Sequence, residues 1–371
     1  MTDPVAVDGV GPGRVASPST PEELAGALRS AADAGEAVIP VGGGRVLGLG
    51  DVPERFDVAL STRGLSRIIE ASQADLTLTV EAGATLEEVD EALRPLGQQL
   101  PLDPPAGPGH TVGGVLATGL SGPLRQRFGS PRDFLIGLRV ALPDGRLAAS
   151  GGRVVKNVSG YDMNKLHLGA LGSLGVIVAA SFKVFPRPHQ EVTLSVSGSA
   201  DPWAEAERAL ALAEPALAVE LDSSGRVLAR LGGSGTALAR QASELGWQEA
   251  DPGVWDEPRR RGDLSESWAR ISVPPRHLRS VLEGLPAGAS WWGSPGVGVA
   301  HWTGSPAAEE VVAARAAAER CGGSLVLVAA PPDLKRQVGA WGSDPATLEW
   351  MRRLRSAFDP SRTLSPGRYV V

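Results

Sequence analysis

The chain has 371 residues, 42% of them hydrophobic and 21% charged, with a formal net charge of -6. That length predicts two domains rather than one core, and the scattered, net negative charge excludes the electrostatic footprint of a nucleic-acid binder. No apolar run reaches the ~20 residues of a spanning helix, the first residues lack a signal pattern, and the single Cys321 excludes an intrachain disulfide framework or an iron–sulfur cluster held by this chain alone. A cytoplasmic location is the expectation.

The first half alternates helix and strand signals. Thr20-Pro21-Glu22-Glu23 reads as a capping box with proline in the first turn, and Leu24, Leu28 and Ala31 continue one apolar face. Gly35 ends that helix, and a strand follows over Ala37–Val41. Leu76–Val80 alternates as a half-buried strand, and Thr85 caps a helix running to about Leu96. Further strands are predicted over Gly137–Leu142, before the turn at Pro143-Asp144-Gly145, and over Val176–Val184, before Pro186-Arg187-Pro188. All nine tryptophans lie beyond residue 200, so the composition shifts after the prolines and predicts a domain boundary near 188.

Beyond it the pattern predicts strand 191–197, helix 202–214, strands 216–221 and 226–231, and helix 234–246. Arg259-Arg260-Arg261 reads as a solvated connector. Strand 268–273, helix 276–285, strands 290–293 and 297–302, helix 306–320 and strand 324–329 then make a complete β-α-β-β-α-β run, of which the earlier run looks like a partial copy. A helix from Ala346 to Phe358 and the tail "DPSRTLSPGRYVV" close the chain.

The stretch "VIPVGGGRVLGLG" (38–50) runs a short strand into a glycine cluster. A nicotinamide-binding turn needs a helix to start at the glycines. Gly48, Gly50 and Pro53 leave no room for one before Phe56, so that reading fails and Asp57 is no ribose ligand. Backbone N–H groups can still cradle phosphates where side chains are absent. Similar clusters recur at Thr111-Val112-Gly113-Gly114, Thr118-Gly119-Leu120-Ser121-Gly122 and Gly172–Ile177.

With "GGG", "TVGG…ATGLSG" and "GYD…GALGSLGVI" in this order, the sequence resembles the FAD-binding domain of the vanillyl-alcohol oxidase (PCMH) type over about 37–188. Within that family, "FGSPRDFLIGLRVALPDGRLAASGGRVVKNVSGYDMNKLHLGALGSLGVI" (128–177) is similar to the E subunits of bacterial glycolate oxidases. The tail "FDPSRTLSPGR" echoes the family's closing motif. The resemblance implies an α+β protein with a two-part FAD-binding domain over 1–188, an antiparallel-sheet cap or substrate domain with ferredoxin-like units over 189–335, and a C-terminal helix and tail over 336–371 packing back on the first domain. It implies that Gly42, Gly43, Gly44, Arg45, Thr111, Gly113, Gly114, Thr118, Gly119, Ser121 and Gly122 line the pyrophosphate and ribityl chain of FAD. Gly172, Gly175, Val176 and Ile177 would contact the flavin region. Arg45 and Ser365 depart from the family pattern, and Asp133 and Lys156 fit ion pairs as well as ligand contacts. Covalent attachment would need a His or Cys in these loops. Only His110 is near, so non-covalent FAD is expected.

The implied chemistry is oxidation of a small 2-hydroxy acid, which needs a cation for its carboxylate and a base for its hydroxyl proton. Arg270 is the candidate clamp and His301 the candidate base, with Tyr161 and Tyr369 as the only tyrosines that could approach the ring. The five histidines form no His-x-His pair, so no metal is expected. An FAD-dependent dehydrogenase subunit and a non-catalytic or electron-relaying partner both stay open. Either would associate with a catalytic flavoprotein subunit and an iron–sulfur subunit, reaching the inner membrane only through that complex.

Overall fold

A computed structural model describes residues 5–153, 162–257 and 265–371. Lys156, Tyr161 and the Arg259–Arg261 connector lie outside the described residues. The fold is mixed α+β.

Two larger sheets and a two-stranded pairing of Gln98–Gln99 with Phe185–Pro186 make the first half. Strands Arg14–Ala16, Val58–Ser61 and Val38–Val41 form a parallel three-stranded sheet, with Val58–Ser61 in the middle. Ile68–Ser72, Thr77–Glu81, Val176–Lys183, Leu135–Ala141 and Leu147–Gly151 form an antiparallel five-stranded sheet in that order. Helix Pro21–Asp33 starts where the capping signal puts it, Thr20 accepting from the Glu23 amide at 3.1 Å. The Thr85 capping box starts helix Leu86–Leu93, and Pro95 tightens the chain into a 3-10 turn over Arg94–Leu96.

Helix Val112–Thr118, in a segment read as glycine loop, was not anticipated. Thr111 caps its start and left-handed Gly119 its end. Gly113 is needed inside it, because a Cβ there would press on the Ala82 methyl group and carbonyl. Packing thus outweighs the poor helix propensity of glycine.

The second half is one eight-stranded antiparallel sheet built from two β-α-β-β-α-β units. The first unit runs Gln190–Val196, helix Pro202–Leu210, Ala218–Asp222, Val227–Gly233, helix Gly235–Leu245 and Gln248–Glu249. It is complete rather than partial, its last strand cut to two residues. The second runs Ser267–Ser272, helix Pro275–Glu283, Ser290–Ser294, Val299–Gly304, helix Ala308–Arg320 and Ser324–Ala329. The units join edge to edge through Ala218–Asp222 and Ser290–Ser294. Alternation puts one set of side chains against the helices, Ala269, Ile271, Ala300 and Trp302 among them. The opposite face turns toward the first half, where Trp268, Trp292, Val326 and Val328 pack on Leu49, Ala106 and Leu120.

Helix Leu348–Phe358 then leads the tail back. Asp359, fully buried, accepts from the amides of Thr363 (3.0 Å) and Leu364 (2.8 Å), and Leu364 bridges Val38 beside the glycine loop.

Candidate cofactor cleft and interface cavity

The glycine loop opens one wall of a cleft. Gly42, Gly43, Gly44 and Arg45 line it, joined by Thr111, Gly113, Gly114, Thr118, Gly172, Val176 and Ile177. The loop is glycine for two reasons. A Cβ on Gly42 or Gly43 would collide with the Thr111 hydroxyl or the Gly109 carbonyl, while Gly44 needs its left-handed φ of +73°. Among the described residues, neither a backbone nor a side-chain acceptor engages the N–H groups of Gly42, Gly43 and Gly44. Unpaired backbone donors at a cleft call for an anion or water. That donor set and the cleft's apolar remainder, from Ile39 and Pro40 to Leu171, fit a dinucleotide with a phosphate middle and aromatic ends.

Four expected ligand positions lie outside the cleft lining. Gly119 closes its helix, Gly175 backs onto Ala141, and Ser121 and Gly122 line a second cavity instead. The Gly113 and Gly114 amides are already bonded, to Ala82 O at 2.7 Å and Thr111 Oγ1 at 3.2 Å. They can shape the wall but not donate to a phosphate. Arg45 and His110 line the cleft and each makes a contact within the protein.

Sequence reasoning missed what braces the loop from behind. Ser365, with φ +45°, lines the cleft and ties the tail in, its amide on Val38 O (2.8 Å) and its hydroxyl on Leu171 O (3.1 Å). Arg368 donates to Leu47 O at 2.6 Å and to Leu49 O. Lys335, fully buried, bonds both Asp8 carboxylate oxygens at 2.8 Å and Gly48 O. Burial lowers the lysine and holds Arg368 at about 10. Tyr369 packs edge-on against Trp341, centroids 4.9 Å apart, and does not line the cleft.

The second cavity, about 420 Å³, lies between the two halves and is lined by Asp103, Ser121, Gly122, Arg125, Glu220, Trp292 and His301. Asp103 fixes its loop by accepting from the Gly122 (3.1 Å) and Leu124 (2.8 Å) amides. Gln126 docks the next turn on the sheet, accepting from the Val219 amide at 3.2 Å. The register puts Arg270 directly opposite His301 on the same face. Arg270 has no carboxylate partner among the described residues. Burial and the like charge of Arg125 lower its pKa. Arg125, which no motif had flagged, joins Arg270 and His301 at this place.

His301 is buried, and burial with the Arg270 charge holds it at about 3. A group that weak takes up a proton poorly near neutral pH, which weighs against the expected role of base. Of the other histidines, His167 is buried against Phe358 and held at about 4, and half-buried His277 accepts from Arg276 at 3.0 Å. No group of His, Cys, Asp and Glu side chains suited to a metal occurs among the described residues, and no described helix is long and apolar enough to cross a membrane.

Residues 12–151 match the family model of the FAD binding domain. The glycolate oxidase subunit GlcE of Escherichia coli (strain K12) is 41% identical over 128 residues, 34% of this chain and 37% of that protein. The D-2-hydroxyglutarate dehydrogenase of Xanthomonas citri pv. viticola is 35% identical over 188 residues, 50% of this chain and 40% of that protein. The matches thus span well under half the length of these relatives. Among solved structures, alkyldihydroxyacetonephosphate synthase shares the fold at a TM-score of 0.68 and 17% identity, covering 96% of this chain and 77% of that one.

Proposed function

Taking the chain as what these matches make it, a flavoprotein of the FAD-binding PCMH type, we propose that it oxidises a small 2-hydroxy acid to the 2-oxo acid. We further propose that it works as a subunit of a glycolate oxidase-type complex, beside a catalytic flavoprotein subunit and an iron–sulfur subunit. The observation that carries the reading is Arg270, a half-buried guanidinium in register with the cavity-lining His301, near Arg125 and without a carboxylate partner among the described residues. A substrate carboxylate would supply the missing charge through paired, charge-assisted hydrogen bonds, with Arg125 reinforcing the field.

The Gly42–Gly44 amides would hold FAD without a covalent bond, and the cofactor would supply the two-electron acceptor. The C2 hydrogen leaves with its electron pair, the hydroxyl proton passes to a protein group, and the C–O bond becomes a carbonyl. Glu220, the buried carboxylate of the cavity wall that does not hold the loop amides as Asp103 does, is assigned that proton.

The test is anaerobic mixing of the FAD-loaded chain with glycolate or D-lactate. Bleaching of the flavin absorbance is expected. An oxidised flavin after prolonged incubation with either acid would make the chain a relay that needs its partner subunit. Acid precipitation of the loaded protein should release all flavin to the supernatant, and flavin retained in the pellet would contradict the non-covalent assignment.

A further inference from the structure

The strand register aligns Asp222, Trp292, His301, Arg270 and Val326 in one row across the sheet. Within it the His301 ring is held from two directions. It stacks on Trp292, centroids 5.1 Å apart and planes 24° from parallel. Its Nδ1 accepts a hydrogen bond from Trp268 Nε1–H at 3.0 Å. An indole nitrogen only donates, so Nδ1 carries no hydrogen and the neutral ring carries it on Nε2. Trp268 is the hydrogen-bond partner of the ring among the described residues, and the ring lines the interface cavity.

We infer that Trp268 is a positioning residue that holds His301 as a fixed Nε2–H donor to the cavity, and that His301 and Arg270 together receive the oxygen atoms of the substrate. The donor pairs with the C2 oxygen while Arg270 takes the carboxylate, so the proton acceptor lies elsewhere. Only what the donor addresses rests on the 2-hydroxy acid reading; the tautomer does not.

The surroundings favour the neutral ring. Charging it would put a hydrogen on Nδ1 against the indole N–H and a second cation beside Arg270. The charged groups around it are Arg270 on the neighbouring strand, Asp222 beyond Trp292, and Arg125, Asp103 and Glu220 around the cavity. Burial and Arg270 keep it unprotonated through neutral pH.

The experiment is nitrogen NMR of the full FAD-loaded chain with labelled histidine, between pH 5 and 8, without substrate. The His301 signal is assigned by its loss in His301→Gln. A protonated Nε2 and bare Nδ1 at every pH are expected, with a mixture of tautomers in Trp268→Phe. A hydrogen on Nδ1, or titration within this range, would overturn the inference even if the Trp268 variant fails to fold.

The kinetic arm compares His301→Phe with His301→Gln during flavin reduction by glycolate or D-lactate. The Phe variant should lose about 10-fold or more in kcat/KM, and Gln, which keeps an N–H at similar reach, should recover most of it. A Gln variant as poor as Phe, with a limb of the pH profile lost, would make His301 the base. No reduction by either acid in the parent chain would defeat the 2-hydroxy acid reading, and the spectrum would still decide the tautomer.

Discussion

The two β-α-β-β-α-β units share a topology, yet their helix-free faces are used differently. In the first, residues Pro252–Trp255 fold over the face, Trp255 packing on Ala218 and Leu228 and donating to Thr193 Oγ1 at 3.0 Å. Its arginine, Arg230, sits opposite Thr193 and is neutralised by Glu191 at 2.6 Å. In the second, the face is covered by loops of the FAD-binding half, and Arg270 sits opposite His301 with no such partner among the described residues. The same scaffold gives a packed structural layer where the chain covers itself, with Glu220 and Trp255 left at the edge of the shared cavity. It gives a charged cavity when another domain supplies the cover. What lies across the face, more than the repeat itself, decides where chemistry can occur.

The largest expected effect comes from loosening that cover. Lys335→Met leaves Asp8 buried without its partner and should cost about 3–5 kcal/mol in urea unfolding. A loss below about 1 kcal/mol would show that the Asp8–Lys335–Gly48 link does not hold the second unit to the glycine loop. Gly43→Ala forces the loop away from the Gly109 carbonyl, at about 1–3 kcal/mol. FAD should then bind roughly 10- to 100-fold more weakly, read by flavin fluorescence. Gly44→Ala meets only an ordinary contact with Leu47 Cδ1 at 3.9 Å and its left-handed φ, so about 1–2 kcal/mol sets a smaller loss. Equal losses in the two variants would break the distinction between close approach and backbone strain.

Acid should act through one buried histidine in each half, His301 in the second unit and His167 in the first half. His301 and His167 have folded pKa values of about 3 and about 4, both below the ordinary 6.5. The unfolded chain therefore binds more protons, and stability complete above pH 6.5 falls as the pH drops toward those values. At pH 5 each histidine should remove about 2 kcal/mol. His301→Gln should abolish its share of the difference between urea midpoints at pH 7.5 and 5, and an unchanged difference would place the acid sensitivity elsewhere.

Much of the fold was legible because its signals are local. Capping boxes, alternation and proline breaks placed the second unit's strands and helices within two residues or so. The glycine loop was legible for the same reason, since consecutive glycines after a strand state what the backbone must do. The individual glycines were not separable, because Gly122 against Asp103 and Gly43 against Gly109 look alike until the partner segment is known. Arg125 carries no motif, and it matters only because Gln126 docks its turn on strand Ala218–Asp222. Asp8 and Lys335 lie over three hundred residues apart, and nothing local marks either as one half of a buried pair. The role of His301 escaped for a similar reason, since its tautomer is set by Trp268 on another strand.

The most direct measurement sets the two arginines against each other. The FAD-loaded chain, Arg270→Met and Arg230→Met are mixed anaerobically with glycolate and with D-lactate, and flavin bleaching is followed. The parent chain and Arg230→Met should be reduced at matching rates. Arg270→Met should lose about 10- to 100-fold in apparent second-order rate, the worth of hydrogen bonds to a charged group. Equal reduction of Arg270→Met and the parent chain would contradict the carboxylate site, and with it the claim that the cavity under the second unit's helix-free face is where this protein meets its substrate.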